Sequence, residues 1–101
     1  MPYHNIPVSV VICAYNAEKY LERALGSICE QSYRNLEILV IDDASRDATA
    51  SISTSMAAKD DRIRVVTLER NGGIAHARQV GLENVSHDWL LFLDADDIAL
   101  P

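Results

Sequence analysis

The chain has 101 residues, enough for one domain and for one only. Its 49% hydrophobic and 24% charged residues are the balance of a folded domain, which excludes a disordered chain. A net charge of −6, with the nine Lys and Arg scattered, excludes a nucleic-acid surface, because phosphate backbones are gripped by clustered cations. An acidic chain that binds a phosphorylated small molecule needs a divalent cation or a local cationic group to screen the repulsion. Cys13 and Cys29 have no metal-type spacing and no signal peptide precedes them, so a reduced, cytoplasmic setting with both cysteines buried is expected. No apolar run approaches the ~20 residues of a membrane span.

Residues 1–7 form a polar lead ending at Pro7. The run from Val8 to Ile12 is too apolar for a half-exposed strand and reads as a buried central one, opening into Cys13-Ala14-Tyr15-Asn16. Asn16 is the expected cap of a helix whose stripe is Tyr20, Leu21, Ala24, Leu25, Ile28 and Cys29, with Glu18, Lys19, Glu22, Arg23 and Glu30 opposite. A second strand, Leu36 to Ile41, stops at Asp42-Asp43. Ser45 or Asp47 is expected to cap a second helix with a buried stripe of Ala48, Ile52 and Met56. Asp60-Asp61 breaks that pattern, and the weak alternation from Ile63 to Leu68 predicts a third strand at a sheet edge. Asn71-Gly72-Gly73 marks a turn, after which Ala77, Gly81, Leu82 and Val85 form one face of a third helix from Ile74. The fourth strand, Trp89 to Leu93, with Trp89 packed at its entrance, runs into Asp94-Ala95-Asp96-Asp97. The order βαβαβαβ predicts an α/β fold, a doubly wound and mostly parallel sheet with helices on both faces.

Parallel strands bring their carboxyl ends to one crevice, where open α/β sheets bind ligands. The acids after the second and fourth strands would meet there, and like charges so placed are tolerated when a cation or a hydroxyl-rich ligand lies among them. Two readings of the first turn stand. Asp42 and Asp43 are turn and capping acids and Tyr15 a packed loop aromatic, or an acid accepts from the N–H of a base while the Tyr15 ring lies on the base face. A dinucleotide site is excluded, since no G-x-G-x-x-G follows the first strand. Asp94-Ala95-Asp96 directly after a buried strand can project two carboxylates to one side and bracket Mg²⁺ or Mn²⁺, a hard cation that also takes substrate phosphates as ligands. Gly72-Gly73 at a helix start, with Arg78 a turn further on, is either a phosphate-facing end or a tight turn beside a surface Arg. His4, His76 and His87 show no ligand spacing, and His76 is expected to be exposed.

Five segments in order resemble the amino-terminal half of a family 2 glycosyltransferase of the GT-A fold. They are Val8 to Asn16; Leu25-Gly26-Ser27-Ile28 with Gln31-Ser32-Tyr33; Glu37 to Ser45; Asn71 to Arg78; and Phe92 to Asp97. The resemblance implies that residues 1–101 are the nucleotide-sugar-binding half of such a domain, using a nucleotide-diphosphate-sugar donor, usually a uridine one, for inverting transfer to an acceptor hydroxyl on a saccharide or lipid-linked acceptor. It implies that Cys13, Ala14 and Tyr15 line the base and ribose pocket, that Asp43 binds the base, and that Arg78 lies toward the diphosphate. Asp94 and Asp96 would be the Asp-x-Asp, and Asp96 with Asp97 would hold the metal, Mn²⁺ or Mg²⁺. Family members carry the acceptor site and the catalytic base beyond the Asp-x-Asp, so no residue of this sequence is assigned as that base. A cytoplasmic place, including the inner face of the membrane, fits such acceptors. A fourth strand that is interior in the family would here have an unpaired edge, open to a second copy. Two rivals fit less well: a phospho-receiver-like regulatory module wants its acids after the first and third strands, and a nucleotidyltransferase-like fold wants a Gly-rich basic loop after the first.

Overall fold

The computed structural model describes residues 6–30, 35–87 and 89–94. Four strands and three helices alternate: β1 (Val8–Ala14), α1 (Leu21–Cys29), β2 (Leu36–Asp42), α2 (Thr49–Lys59), β3 (Ile63–Thr67), α3 (Ile74–Asn84) and β4 (Trp89–Asp94). The strands form one sheet in the order β3-β2-β1-β4, with every pairing parallel. β1 lies inside it, as its unbroken apolar run predicts, and β3 takes an edge. The register sets Ala14 beside Asp42, and Cys13 beside Asp94. All carboxyl ends therefore point the same way.

Because strand side chains alternate between faces, each inner strand feeds two cores. Val10, Ile12, Ile38 and Val40 pack with Leu21, Leu25 and Ile28 of α1, joined by half-buried Ile52 and Met56 of α2. On the other face Val11, Cys13, Leu39 and Ile41 pack with Ala77 and Val80 of α3. The sheet is thus covered on both sides, the doubly wound arrangement read from the sequence.

Several local expectations give way. Asn16 does not cap α1; it sits in the left-handed region (φ 49°), and α1 starts at Leu21 without a side-chain cap. Residues 17–20 form a turn closed by Tyr20 N–H and Leu21 N–H on the Ala17 carbonyl, both at 2.9 Å. That turn swings Tyr20 to 53% exposure while Ala17 takes the buried place at 7%. In α2 the fully buried positions are Thr49 and Ser53 rather than the apolar stripe. They are accommodated because Ser53 Oγ donates to the Thr49 carbonyl (2.8 Å) and Thr49 Oγ1 accepts from Ala17 N–H (2.8 Å). Of the two expected caps, Asp47 accepts from Thr49 N–H at 2.9 Å. Trp89 is 63% exposed and so not packed at the strand entrance, and Leu82 is 47% exposed, off the buried face of its helix. Val85 packs on the core but lies just past the end of α3. Cys13 is buried, whereas Cys29 is only half-buried. His76 is exposed, as expected.

Small residues decide how α3 sits. Only Ala77 and Gly81 of this helix are buried, and a Cβ added at Gly81 would stand 2.6 Å from Val11 Cγ1. The helix therefore lies low over β1, and Leu82 is turned away from it. At the amino ends of the strands, Glu37 Oε1 accepts from Ser86 N–H at 3.2 Å and from Arg64 Nη2 at 3.3 Å. This anchors the connection from α3 into β4. Partial burial works against the charge on Glu37, yet the bonds from Ser86 and the neighbouring Arg64 hold its carboxyl below the ordinary range.

Two outcomes follow. Gly81→Ala should lower stability by about 1–3 kcal/mol through overpacking against Val11, although alanine is the better helix former; urea denaturation measures it. Glu37 has a folded pKa below its unfolded value, so its contribution is complete above the unfolded value near ~4.3 and fades as pH falls through it toward the lower folded value. Glu37→Gln should therefore flatten the acid-side loss of stability, read from urea midpoints at neutral and acidic pH.

Candidate functional site

A hollow of about 230 Å³ opens at the carboxyl ends of the strands. Cys13, Ala14 and Tyr15 come to it from the end of β1, Asp43 from the end of β2, and Asn71, Gly73, Ile74 and Ala77 from the turn into α3 and its first turns. Its volume suits one base or ribose rather than a whole nucleotide sugar. A larger hollow of about 640 Å³ runs along residues 57–62, but that is the amino end of β3, opposite the rim where α/β sheets bind ligands.

Asp43 closes the floor. It is 4% exposed; Oδ1 accepts from Gly72 N–H and Oδ2 from Gly73 N–H, both at 2.9 Å. Its backbone N–H donates to the Ala14 carbonyl at 2.8 Å, and its carbonyl accepts from Asn71 Nδ2 at 3.3 Å. Gly73, at φ 86°, supplies the backbone conformation that delivers its N–H. The open anion seat considered at Gly72-Gly73 is thus taken by the protein's own carboxylate. A carboxylate has about four acceptor positions, and these bonds use two, so capacity for a further donor remains. Asp42 faces another turn: it is fully buried, and its Oδ1 accepts from Ser45 N–H at 3.0 Å. Of the two adjacent acids, only Asp43 reaches the hollow.

The other expected site residues are distributed as follows. Arg78 does not line the hollow; its guanidinium lies 5.7 Å from the centre of the Phe92 ring, which sets it on the β4 side of α3. The backbone of Asp94 ends β4 beside Cys13, which lines the hollow. Asp96 and Asp97 lie outside the described residues. Among the described residues no three His, Cys, Asp or Glu side chains gather as a metal site; the expected acid cluster draws on Asp96 and Asp97 and so extends outside them. Asn71, Gly73, Ile74 and Ala77 also line the hollow, although the sequence reading did not assign them there. Their signal lies in the turn Asn71-Gly72-Gly73, open in the sequence between a phosphate-facing helix end and a tight turn, and in Ala77 on the buried face of the helix that starts at Ile74.

This parallel α/β sheet, with its pocket at the carboxyl ends of β1 and β2, matches solved glycosyltransferases of the GT-A fold. S. aureus TarS, in a crystal structure of its residues 1–349 with UDP-GlcNAc, matches 92% of this chain and 27% of its own at a TM-score of 0.84 and 33% identity. A mannosyltransferase from Pyrobaculum calidifontis, solved with GDP-Man and Mn²⁺, matches 90% of this chain and 28% of its own at 0.85 and 30% identity. The chain belongs to glycosyl transferase family 2, whose sequence profile matches residues 9–101. An uncharacterized glycosyltransferase of Haemophilus influenzae is 43% identical over 94 residues, 93% of this chain and 29% of the relative. Glycosyltransferase GlyG of Streptococcus pneumoniae is 36% identical over 91 residues, 90% of this chain and 30% of the relative. The chain thus spans under a third of the length of these relatives.

Asp43→Asn turns an acceptor into an amide that cannot satisfy both Gly72 and Gly73. It should cost about 1–3 kcal/mol and speed hydrogen exchange at those two amides relative to the core strands.

Proposed function

We propose that this chain is the donor-binding half of the GT-A domain of an inverting glycosyltransferase, and that residues 1–101 bind a nucleoside-diphosphate sugar, a uridine one by preference. The observation that carries the reading is the convergence of Cys13, Ala14, Tyr15 and Asp43 on one hollow at the strand carboxyl ends. In this reading Tyr15 lies along the base, Asp43 accepts from the base N–H, and Cys13 and Ala14 bound the base and ribose. Asp43 also supports an orientation for the nucleotide. Its charge already fills the positive end of α3, so a diphosphate is disfavoured there and the nucleoside end is favoured. The diphosphate then extends toward Arg78 and the end of β4, where Asp94 and Asp96 form the Asp-x-Asp.

Asp96 and Asp97 would hold Mn²⁺ or Mg²⁺. Hard carboxylate oxygens suit such an ion, and the pairing of Asp94 with Cys13, a residue of the hollow, supports this reading. The bound metal would offset the charge on the departing nucleoside diphosphate. The chain's own residues hold the donor in place, while attack by an acceptor hydroxyl, saccharide or lipid-linked, needs a general base that we assign to no residue of this chain. We place the protein in the cytoplasm, at or near the inner membrane face, a setting that suits its two free cysteines.

Calorimetry with UDP tests the reading. With Mn²⁺ a binding heat is expected; without the metal, or in Asp96→Ala, affinity should fall by roughly tenfold or more, about 1.4 kcal/mol or beyond. Tight metal-free binding of a dinucleotide would overturn it.

A further inference from the structure

The ring of Tyr15 has little packing to fix it. It is 49% exposed, while Ala14 before it and Ala17 after it are 2% and 7% exposed. Its direction is therefore set by the backbone of the turn it belongs to. That turn is held from outside. Asn16 N–H donates to Ser45 Oγ at 2.9 Å, and Asn16 Oδ1 accepts from Arg46 N–H at 2.9 Å. Glu18 repeats the exchange, its N–H donating to Asp47 Oδ2 at 3.2 Å and its Oε2 accepting from Ala48 N–H at 3.1 Å. Between them Ala17 N–H donates to the buried Thr49 hydroxyl at 2.8 Å.

Five bonds thus lace the turn after β1 to the turn after β2, and the second turn is itself anchored. Asp42 Oδ1 holds Ser45 N–H at 3.0 Å, and Ala44 adopts a left-handed backbone at φ 60°. Asn16, at φ 49°, is left-handed too, a conformation that asparagine tolerates better than most residues. None of Asn16, Ser45, Asp47 or Thr49 lines the hollow. Non-glycine residues in this region cluster where a fold holds a functional geometry against local preference.

We infer that Asn16 is a positioning residue for nucleoside recognition: clamped by Ser45 and Arg46, it fixes where the Tyr15 ring stands and so sets affinity for the base-bearing end of the donor. This rests on the donor reading above. It adds a residue that touches no ligand and acts through Tyr15 alone.

The test compares binding of UDP and of pyrophosphate, each with Mn²⁺, by calorimetry. Asn16→Gly keeps the left-handed backbone and removes the side-chain acceptor; Asn16→Asp restores the acceptor. Asn16→Gly should weaken UDP roughly tenfold and leave pyrophosphate unchanged, and Asn16→Asp should recover UDP binding. In a Tyr15→Ala background Asn16→Gly should have no further effect. Ser45→Ala, which removes the other bond without altering residue 16, should show the same pattern. Unchanged UDP affinity in Asn16→Gly, equal weakening of UDP and pyrophosphate, or losses that multiply with Tyr15→Ala would each overturn the inference while leaving the donor reading intact. Failure of the wild-type protein to bind UDP with Mn²⁺, or no loss in Tyr15→Ala, would sink the donor reading and this inference with it.

Discussion

The carboxylate of Asp43, with Gly72 N–H on one oxygen and Gly73 N–H on the other, joins the sheet to the helix that walls its pocket. Bonds from backbone amides to a charged acceptor contribute more than neutral ones, about 1.5–3 kcal/mol each, and these two lie at the end of a helix whose dipole favours negative charge. Together with Asn71 Nδ2 on the Asp43 carbonyl, that tie fixes the turn at residues 71–73 to the end of β2. The same contact settles the electrostatics of the rim. An acidic protein that recruits a doubly charged phosphate group gains by keeping it away from its own carboxylate, and in the donor reading the nucleoside is what meets Asp43.

Packing on the other side of α3 complements this tie. Gly81 and Ala77 present almost no side chain to β1, so the helix approaches the strand closely and Ile74 and Ala77 come down to the hollow. The pocket is shaped as much by what is missing from that helix face as by what lines it. A bulkier residue at Gly81 would lift the wall and enlarge the space without adding any group that recognises a ligand.

Most of the architecture was legible because its signals are long and redundant. The apolar run of β1 marked a strand buried on both faces, and the alternation of strands with helical stripes marked a parallel sheet with β3 at its edge. Four of the expected site residues, Cys13, Ala14, Tyr15 and Asp43, share one hollow because a parallel sheet delivers its strand ends together. Detail at the helix starts was not legible. Asn16 resembles a cap in the sequence, since asparagine favours both caps and left-handed turns; its partners Ser45 and Arg46 lie 29 and 30 positions away, and no local pattern reveals them. Thr49 and Ser53 were passed over for apolar neighbours because burial of a hydroxyl depends on partners that only the fold supplies. Asp42 and Asp43 look alike as a pair, yet one serves the Ser45 turn and the other the glycine turn.

The central place of β1 also bears on how the protein comes to be folded. β1 and β2 are joined by one short helical crossover, but β4 reaches β1 only after the whole of β2, α2, β3 and α3, closing a loop of ~80 residues whose entropy cost exceeds that of the neighbouring crossovers. On a ribosome, β2 and β3 emerge ahead of β4, so one side of β1 waits unpaired until the strand that bears Asp94 arrives. The pairing of Cys13 with Asp94 is thus a contact that synthesis makes available later than the pairing of Ala14 with Asp42.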